Sequence, residues 1–179
     1  SMEFAIQVGN PRYFKHVEED STELNEILQD LFPFPTEFCF LIWNHVYIPL
    51  DYKYDISIIL DDIVHLFREI LENESGELYI AWPSNTFRTE WTMAWDAVDI
   101  TITTAWWCVI GHCLEDVLNK VNVLKINKVD FLREWKMLLM KIVEVVSGCE
   151  RDVPEIHEIK ELLERVEGKG VLYTKDTAD

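Results

Sequence analysis

Three side chains with metal-binding chemistry lie four residues apart in one stretch of the sequence: Asp61, His65 and Glu69, with Asp62 beside the first. On a helix this spacing places them on one face, where an imidazole and carboxylates can hold a divalent ion. The same pattern is typical of a solvated helix face opposite an apolar stripe, and the stretch 59–70 carries such a stripe. We favour the solvated face. A metal-dependent hydrolase that uses Asp61, His65 and Glu69 is the alternative.

A second group of reactive side chains, Cys108, His112, Cys113 and Asp116, follows the last of the predicted strands. A cysteine near a histidine can act as nucleophile and base, or the group can contribute to a zinc site. The spacing matches no known ligand signature, however, and buried thiols on an apolar segment are common. We therefore expect no bound metal and no cofactor.

The cysteines also indicate a cellular compartment. They show neither CxxC spacing nor the density of a secreted disulfide framework, so free buried thiols are expected. Together with apolar runs that are too short to span a bilayer, this predicts a reducing, cytoplasmic location. The cysteines are Cys39, Cys108, Cys113 and Cys149.

The sequence lacks the common catalytic signatures. It contains no nucleophile elbow, zinc-protease motif, phosphate-binding loop or dinucleotide fingerprint. Only 6 of the 179 residues are glycine, so few loops can bring the backbone close to a phosphate. These absences predict that the protein is not an enzyme and has no catalytic residues.

Hydrophobic periodicity predicts the elements that must position these side chains. Pro49 favours an edge position for the strand that contains it. The first half is expected to hold a strand over 4–8, a helix from an Asp20–Glu23 capping box to Leu31, strands over 37–43 and 46–50, and a helix over 55–72 capped by Asp55. The second half is expected to hold helices over 114–126, from Asn127 or Asp130 to Gly148, and from Pro154 to Gly168.

Three consecutive runs between these halves, 77–82, 86–95 and 97–107, carry the strongest strand signal. Their alternation predicts an antiparallel meander with one apolar face and one face rich in threonine and acid. The fold class is therefore α+β, an antiparallel β-meander packed on one face by amphipathic helices. We expect a single domain over 2–170, with 171–179 as a tail or a short edge strand. The apolar positions are Phe87, Trp91, Met93 and Trp95 in the second run, and Val98, Ile100, Ile102 and Trp106 in the third.

Acidic residues outnumber basic ones by 33 to 16, which leaves a formal charge of −17 spread along the whole chain. A surface of this sign repels nucleic-acid phosphates and anionic lipid headgroups, and it attracts basic proteins. It also keeps a protein soluble, which is the simplest interpretation. We expect a basic protein partner, no nucleic acid and no membrane.

Tryptophan is abundant, with 7 residues, 5 of them in the predicted meander. Most are expected in the core, but alternation places Trp107 on the polar face while Trp106 points inward. An exposed tryptophan beside acids is typical of a binding hot spot. The predicted partner-binding residues are Glu90, Asp96, Asp99, Thr101, Thr103 and Trp107 in the meander, and Asp61, Asp62 and Glu69 on the 55–72 helix.

In size, acidity, Trp-rich meander over 77–107 and flanking helices, the chain resembles bacterial immunity proteins. These are the cytoplasmic inhibitors of toxins in polymorphic-toxin and contact-dependent inhibition systems. The resemblance implies that the protein occludes the active site of a basic, nuclease-type toxin, with acids in place of the substrate phosphates. A homo-oligomeric structural subunit is a further alternative, and the oligomeric state stays open.

Overall fold

Within residues 3–176, a computed structural model shows two antiparallel sheets and five α-helices, with side chains described for residues 3–166. The predicted α+β class is confirmed. In chain order the elements are β1 (Phe4–Gln7), α1 (Leu24–Leu31), β2 (Phe38–Trp43), β3 (Val46–Asp51), α2 (Ser57–Glu72), β4 (Gly76–Ser84), β5 (Phe87–Trp95), β6 (Asp99–Val109), α3 (Glu115–Lys120), β7 (Val123–Asn127), α4 (Lys128–Ser147) and α5 (Pro154–Asp176).

The first sheet has the order β1-β2-β3. Asn44 and His45 make the two-residue turn between β2 and β3, with φ angles of 42° and 70°. Both angles are left-handed, as a hairpin turn of this length requires if the strands are to keep their twist. The predicted strands are confirmed. Pro49 lies on β3 at the edge of this sheet, as predicted.

The second sheet is the predicted meander, extended by one strand to the order β4-β5-β6-β7. The predicted helix over 114–126 is wrong in its second half, where β7 pairs antiparallel with β6. Exposed and buried residues alternate along β7, and the open edge of β6 supplies its hydrogen bonds. A strand of five residues that depends on a neighbour is decided by tertiary pairing rather than by local propensity. Val98 is exposed in the turn before β6, against the prediction that it is apolar core.

α1 begins one turn later than predicted. Its capping box consists of Glu23 and Glu26, with the Glu26 carboxylate accepting the Glu23 N–H at 3.1 Å, rather than of Asp20 and Glu23. The predicted apolar stripe of α1 is confirmed by burial of Leu24, Ile27, Leu28 and Leu31.

α4 begins and ends where the sequence predicts. The Asn127 side chain accepts the N–H groups of the first turn, and Gly148 follows the last residue. α5 passes its predicted end at Gly168 and continues to Asp176, through most of the segment for which a tail or short strand is predicted. Residue 2 and residues 177–179 lie outside the described residues.

No helix within residues 3–176 is both long enough and apolar enough to cross a bilayer.

Trp91 lies at the centre of the core. Its ring centroid is 5.2 Å from that of Trp43 on β2 and 4.8 Å from that of Trp82 on β4. Trp106 on β6 and Trp135 on α4 follow at 6.2 and 6.4 Å. Large rings packed at these distances contribute through buried area and through edge-to-face contacts. The five indoles therefore join both sheets to α4.

Asp51, not Asp55, caps the segment that leads into α2. A π-helical turn, Tyr52–Ile56, precedes the α-helix, and the Asp51 side chain accepts the Tyr54 N–H at 2.7 Å. The predicted cap at Asp55 is wrong because this extra turn moves the start of the helical backbone towards the N-terminus. Asp55 is carried into the interior instead, where it is fully buried.

The buried Asp55 carboxylate connects the first sheet to the second. Its Oδ1 accepts hydrogen bonds from the hydroxyls of Ser84 and Thr86, at 2.7 and 2.5 Å. Its Oδ2 accepts the backbone N–H of Asp51 at 3.0 Å. Ser84 and Thr86 flank the β4–β5 turn, so one carboxylate bonds both to the end of β3 and to this hairpin.

Asp55→Ala is expected to lower the free energy of unfolding by about 2 to 4 kcal/mol, because it leaves three donors without their acceptor. Urea unfolding of both proteins at neutral pH measures the difference. Asp61→Ala, an exposed residue of the adjoining α2, is the control and should change stability by less than about 0.5 kcal/mol. Equal effects of the two substitutions would show that the Asp55 network does not stabilise the fold.

Burial, with a further contribution from the neighbouring Asp55 carboxylate, raises the pKa of Asp51 from 3.8 to about 6. Folded protein therefore holds this proton more tightly than unfolded chain, and the stability that it contributes is lost as pH rises through about 6. Asp51→Asn keeps an oxygen for the Tyr54 N–H but cannot ionise. Between pH 4.5 and pH 7.5, the free energy of unfolding of this variant should rise by about 1 to 2 kcal/mol relative to that of the wild type. Urea unfolding at the two pH values measures the difference. A stability difference that is independent of pH would contradict this assignment.

Candidate functional site

One face of the β4–β7 sheet is filled by the core, and no side chain within residues 3–166 covers the other face. Every second residue of β5, from Phe87 to Trp95, is buried, and the intervening side chains point away from the core. α2 and α4 contribute their apolar stripes to the buried side. We call the bare side the open sheet face; it comprises Glu77, Tyr79, Ala81, Pro83, Arg88, Glu90, Thr92, Ala94, Asp99, Thr101, Thr103, Ala105, Trp107, Val123 and Lys125.

Small side chains make the middle of the open sheet face flat. Ala94 pairs with Thr101, and Thr92 pairs with Thr103, on neighbouring strands. Ala81 and Ala105 lie on either side of Glu90. Methyl and hydroxyl groups lose less conformational entropy than long side chains when another surface covers them.

Trp107 stands at one end of this face, at a β-bulge. Strand pairing shifts between Arg88 and Thr89, whose partners are Cys108 and Trp106, so Trp107 is the extra residue. A bulge re-aims the side chain that it contains. Trp107 is 59% exposed, whereas Trp106 is buried, as alternation predicts.

An open groove of about 290 Å³ runs beside Trp107. Its walls include Ala81, Pro83, Arg88 and Glu90 together with the indole. The groove thus has an aromatic wall, an apolar floor and one charge of each sign. Such a mixture fits an inserted side chain from a partner better than a small polar substrate.

The charges of the open sheet face are partly compensated. Glu90 accepts the Tyr79 hydroxyl at 2.8 Å, and this hydrogen bond raises the pKa of Tyr79. Asp99 lies 3.8 Å from the Lys125 ammonium of β7. Arg88 adds another positive charge. The face itself is therefore close to neutral, and the strong negative field comes from the rest of the molecule.

Asp96 serves the turn between β5 and β6. Its Oδ1 accepts the N–H groups of Val98 and Asp99, both at 2.8 Å. These two hydrogen bonds lower the pKa of Asp96. Asp96 is exposed, so the same carboxylate stabilises the turn and remains accessible to solvent.

The acids of α2 do not join this face. α2 lies against the buried side of the sheet, so Asp61, Asp62 and Glu69 belong to the opposite side from Glu90 and Trp107. The predicted partner-binding residues of the meander and of α2 therefore lie on two separate surfaces. Partial burial raises the pKa of Asp62.

The two groups of potential metal ligands that the sequence suggests are only partly brought together in the structure. Among the described side chains, Asp61, His65 and Glu69 do not bring their ligand atoms together, whereas Cys108 and His112 do so with Glu115. The predicted members Cys113 and Asp116 lie outside that cluster and are exposed.

The prediction of buried thiols holds for only two of the cysteines. Cys39 and Cys149 are buried, but Cys108 is half-buried and Cys113 is exposed. Partial burial and the nearby Glu115 carboxylate raise the pKa of Cys108, which disfavours a thiolate nucleophile in the free protein.

Three residues of the candidate sites are absent from the sequence prediction. Tyr79 is 58% exposed beside Glu90, and the alternation in the 77–82 run was sufficient to predict it. Lys125 of the open sheet face was not predictable, because its position depends on β7. Glu115, which lies outside that face, has no distinctive signal because it is a carboxylate at the start of a helix.

The chain matches no protein-family model, no curated protein and no solved structure. Its function must therefore be argued from the site itself.

Trp107→Phe is expected to remove most of the tryptophan fluorescence that acrylamide quenches, because the other six tryptophans are at most 5% exposed. Stern–Volmer plots of wild type and variant measure the accessible fraction. The free energy of unfolding should change by less than about 0.5 kcal/mol, since the side chain is outside the core. An unchanged quenchable fraction would place Trp107 in the interior.

Proposed function

We propose that this chain is a protein-binding module whose open sheet face docks a basic protein, in the manner of an immunity protein that occludes a cognate toxin. The observation that carries the proposal is Trp107, which projects from a bulge at 59% exposure beside a groove and a flat field of small side chains. Tryptophan anchors at the centre of a desolvated patch supply most of the energy of many interfaces.

The net charge of the chain and the shape of the open sheet face act at different stages of binding. The formal charge of −17 draws a basic partner towards the molecule from a distance and accelerates encounter. The nearly neutral open sheet face then makes the contact, where Trp107 and Tyr79 bury apolar area. Glu90 and Asp99 orient the bound protein, because each can exchange its present partner, Tyr79 or Lys125, for a cation of that protein.

Binding rather than turnover is supported by the nature of the face. A flat sheet surface with a shallow groove buries a protein partner well but encloses a small substrate poorly. The face is built on paired strands, so it is already ordered and adds little entropy cost on binding.

The test uses basic proteins encoded beside the gene for this chain, because an inhibitor and its toxin are expected to be neighbours. Glu90→Lys combined with Asp99→Lys should slow association about tenfold at low salt, measured by biolayer interferometry. Trp107→Ala should instead raise the dissociation rate, with a loss of affinity of roughly tenfold or more.

Asp61→Lys combined with Asp62→Lys is the matched control, because it changes the net charge equally on the opposite side of the sheet. It should slow association several times less than the Glu90 and Asp99 pair. Equal slowing by both pairs, or unchanged rates, would remove the open sheet face as the docking surface. Failure of every neighbouring basic protein to bind the wild type would overturn the immunity-type function, and a wild-type dimer that Trp107→Ala dissociates would favour self-association.

A further inference from the structure

The loop after β6 brings three different metal-ligand types to one point. The ligand atoms of Cys108, His112 and Glu115 all lie within 4.8 Å of one another. His112 Nδ1 lies between the other two, 3.6 Å from Cys108 Sγ and 3.6 Å from Glu115 Oε1. This cluster lies outside the open sheet face.

The two distances from His112 Nδ1 fit a shared tetrahedral ion. Zinc binds sulfur at about 2.3 Å and nitrogen or oxygen at about 2.0 to 2.1 Å, which separates neighbouring ligand atoms in a tetrahedron by about 3.3 to 3.6 Å. The two distances from His112 Nδ1 therefore match those of a tetrahedral set. The ligand atoms of Cys108 and Glu115, which lie within 4.8 Å of each other, would close around the ion.

The backbone of the loop aims the ligands. Gly111 and His112 both have left-handed φ angles, 87° and 51°, which fold the chain back so that His112 approaches Cys108. The Glu115 carboxylate is held in place by a hydrogen bond that it accepts from the Val109 N–H at 2.9 Å. This hydrogen bond orients the Glu115 ligand before an ion arrives. Cys108 donates its thiol proton to the Asn85 carbonyl at 2.7 Å, and this bond is lost when the thiolate forms.

We propose that Cys108, His112 and Glu115 form a binding site for one divalent transition-metal ion of the zinc class. A thiolate, an imidazole and a carboxylate suit zinc or cobalt rather than magnesium or calcium, which prefer oxygen ligands alone. The His112 side chain is 74% exposed, so solvent completes the coordination.

Charge balance supports binding. On entry of the ion the Cys108 proton leaves to water, and the thiolate and Glu115 together carry two negative charges that the ion neutralises. Arg88 is the cross-strand partner of Cys108. Its positive charge repels the metal ion but stabilises the Cys108 thiolate. The net charge of the chain also concentrates cations at its surface.

The experiment titrates chelator-treated protein with Co²⁺ under reducing conditions and records its absorption spectrum. One equivalent should produce intense visible bands of a four-coordinate ion and a near-ultraviolet thiolate-to-cobalt band, and Zn²⁺ should abolish both. Cys108→Ser should remove the thiolate band, while His112→Gln and Glu115→Gln should each weaken binding by at least about tenfold. Circular dichroism of each variant establishes that it is folded.

Two matched variants locate the site. Cys113→Ser removes the exposed thiol of the same loop, and His65→Gln removes the histidine from the acidic face of α2; both should bind as the wild type does. Absence of a thiolate band in the wild type would overturn the proposal. A band lost in Cys113→Ser but kept in Cys108→Ser, or binding lost in His65→Gln, would overturn it as well.

Discussion

The packing of four indoles around Trp91 is the contact on which the rest of the structure depends. These rings come from two sheets and from α4, so the relative position of all three is set at one point. The indole N–H groups of Trp91, Trp106 and Trp135 have no hydrogen-bond partner among the described residues. Each such group costs about 1 to 3 kcal/mol. Edge-to-face packing, at 67° between Trp82 and Trp91, offsets part of this cost.

A core filled in this way determines what the other side of the sheet can do. Because Trp91 and its neighbours fill the buried face at close packing, the sheet cannot bend towards a ligand without opening a void. The open sheet face is therefore a rigid platform. The buried Asp55 carboxylate extends the same rigidity to the β4–β5 hairpin, which borders the groove beside Trp107.

The bulge in β6 relates the two candidate sites. Trp106 and Val109 are both buried although they are three positions apart, which shows that one residue between them is outside the alternation. Trp107 points outward as the alternation of β6 requires, whereas the bulge leaves the next residue, Cys108, only half-buried. The first borders the docking groove, and the second begins the metal-ligand cluster. Both functional candidates therefore lie at the same end of the sheet.

The sequence by itself determined the α+β class, the meander, the alternation of its faces and the exposure of Trp107. Each of these depends on residues that are neighbours along the chain, whose period of two or 3.6 is visible in the sequence. α4, from Asn127 to Gly148, was equally accessible because its cap and its terminator are local signals.

Only the tertiary structure decided the features that join distant segments. β7 exists because β6 offers it hydrogen bonds, and with β7 comes the Lys125 that compensates Asp99. Asp55 became a buried acceptor because the β4–β5 turn supplies hydroxyl donors about thirty residues away. The cluster of Cys108, His112 and Glu115 needed left-handed backbone at His112. The periodicity of the sequence does not predict these contacts, because they form between groups that meet only in the folded chain.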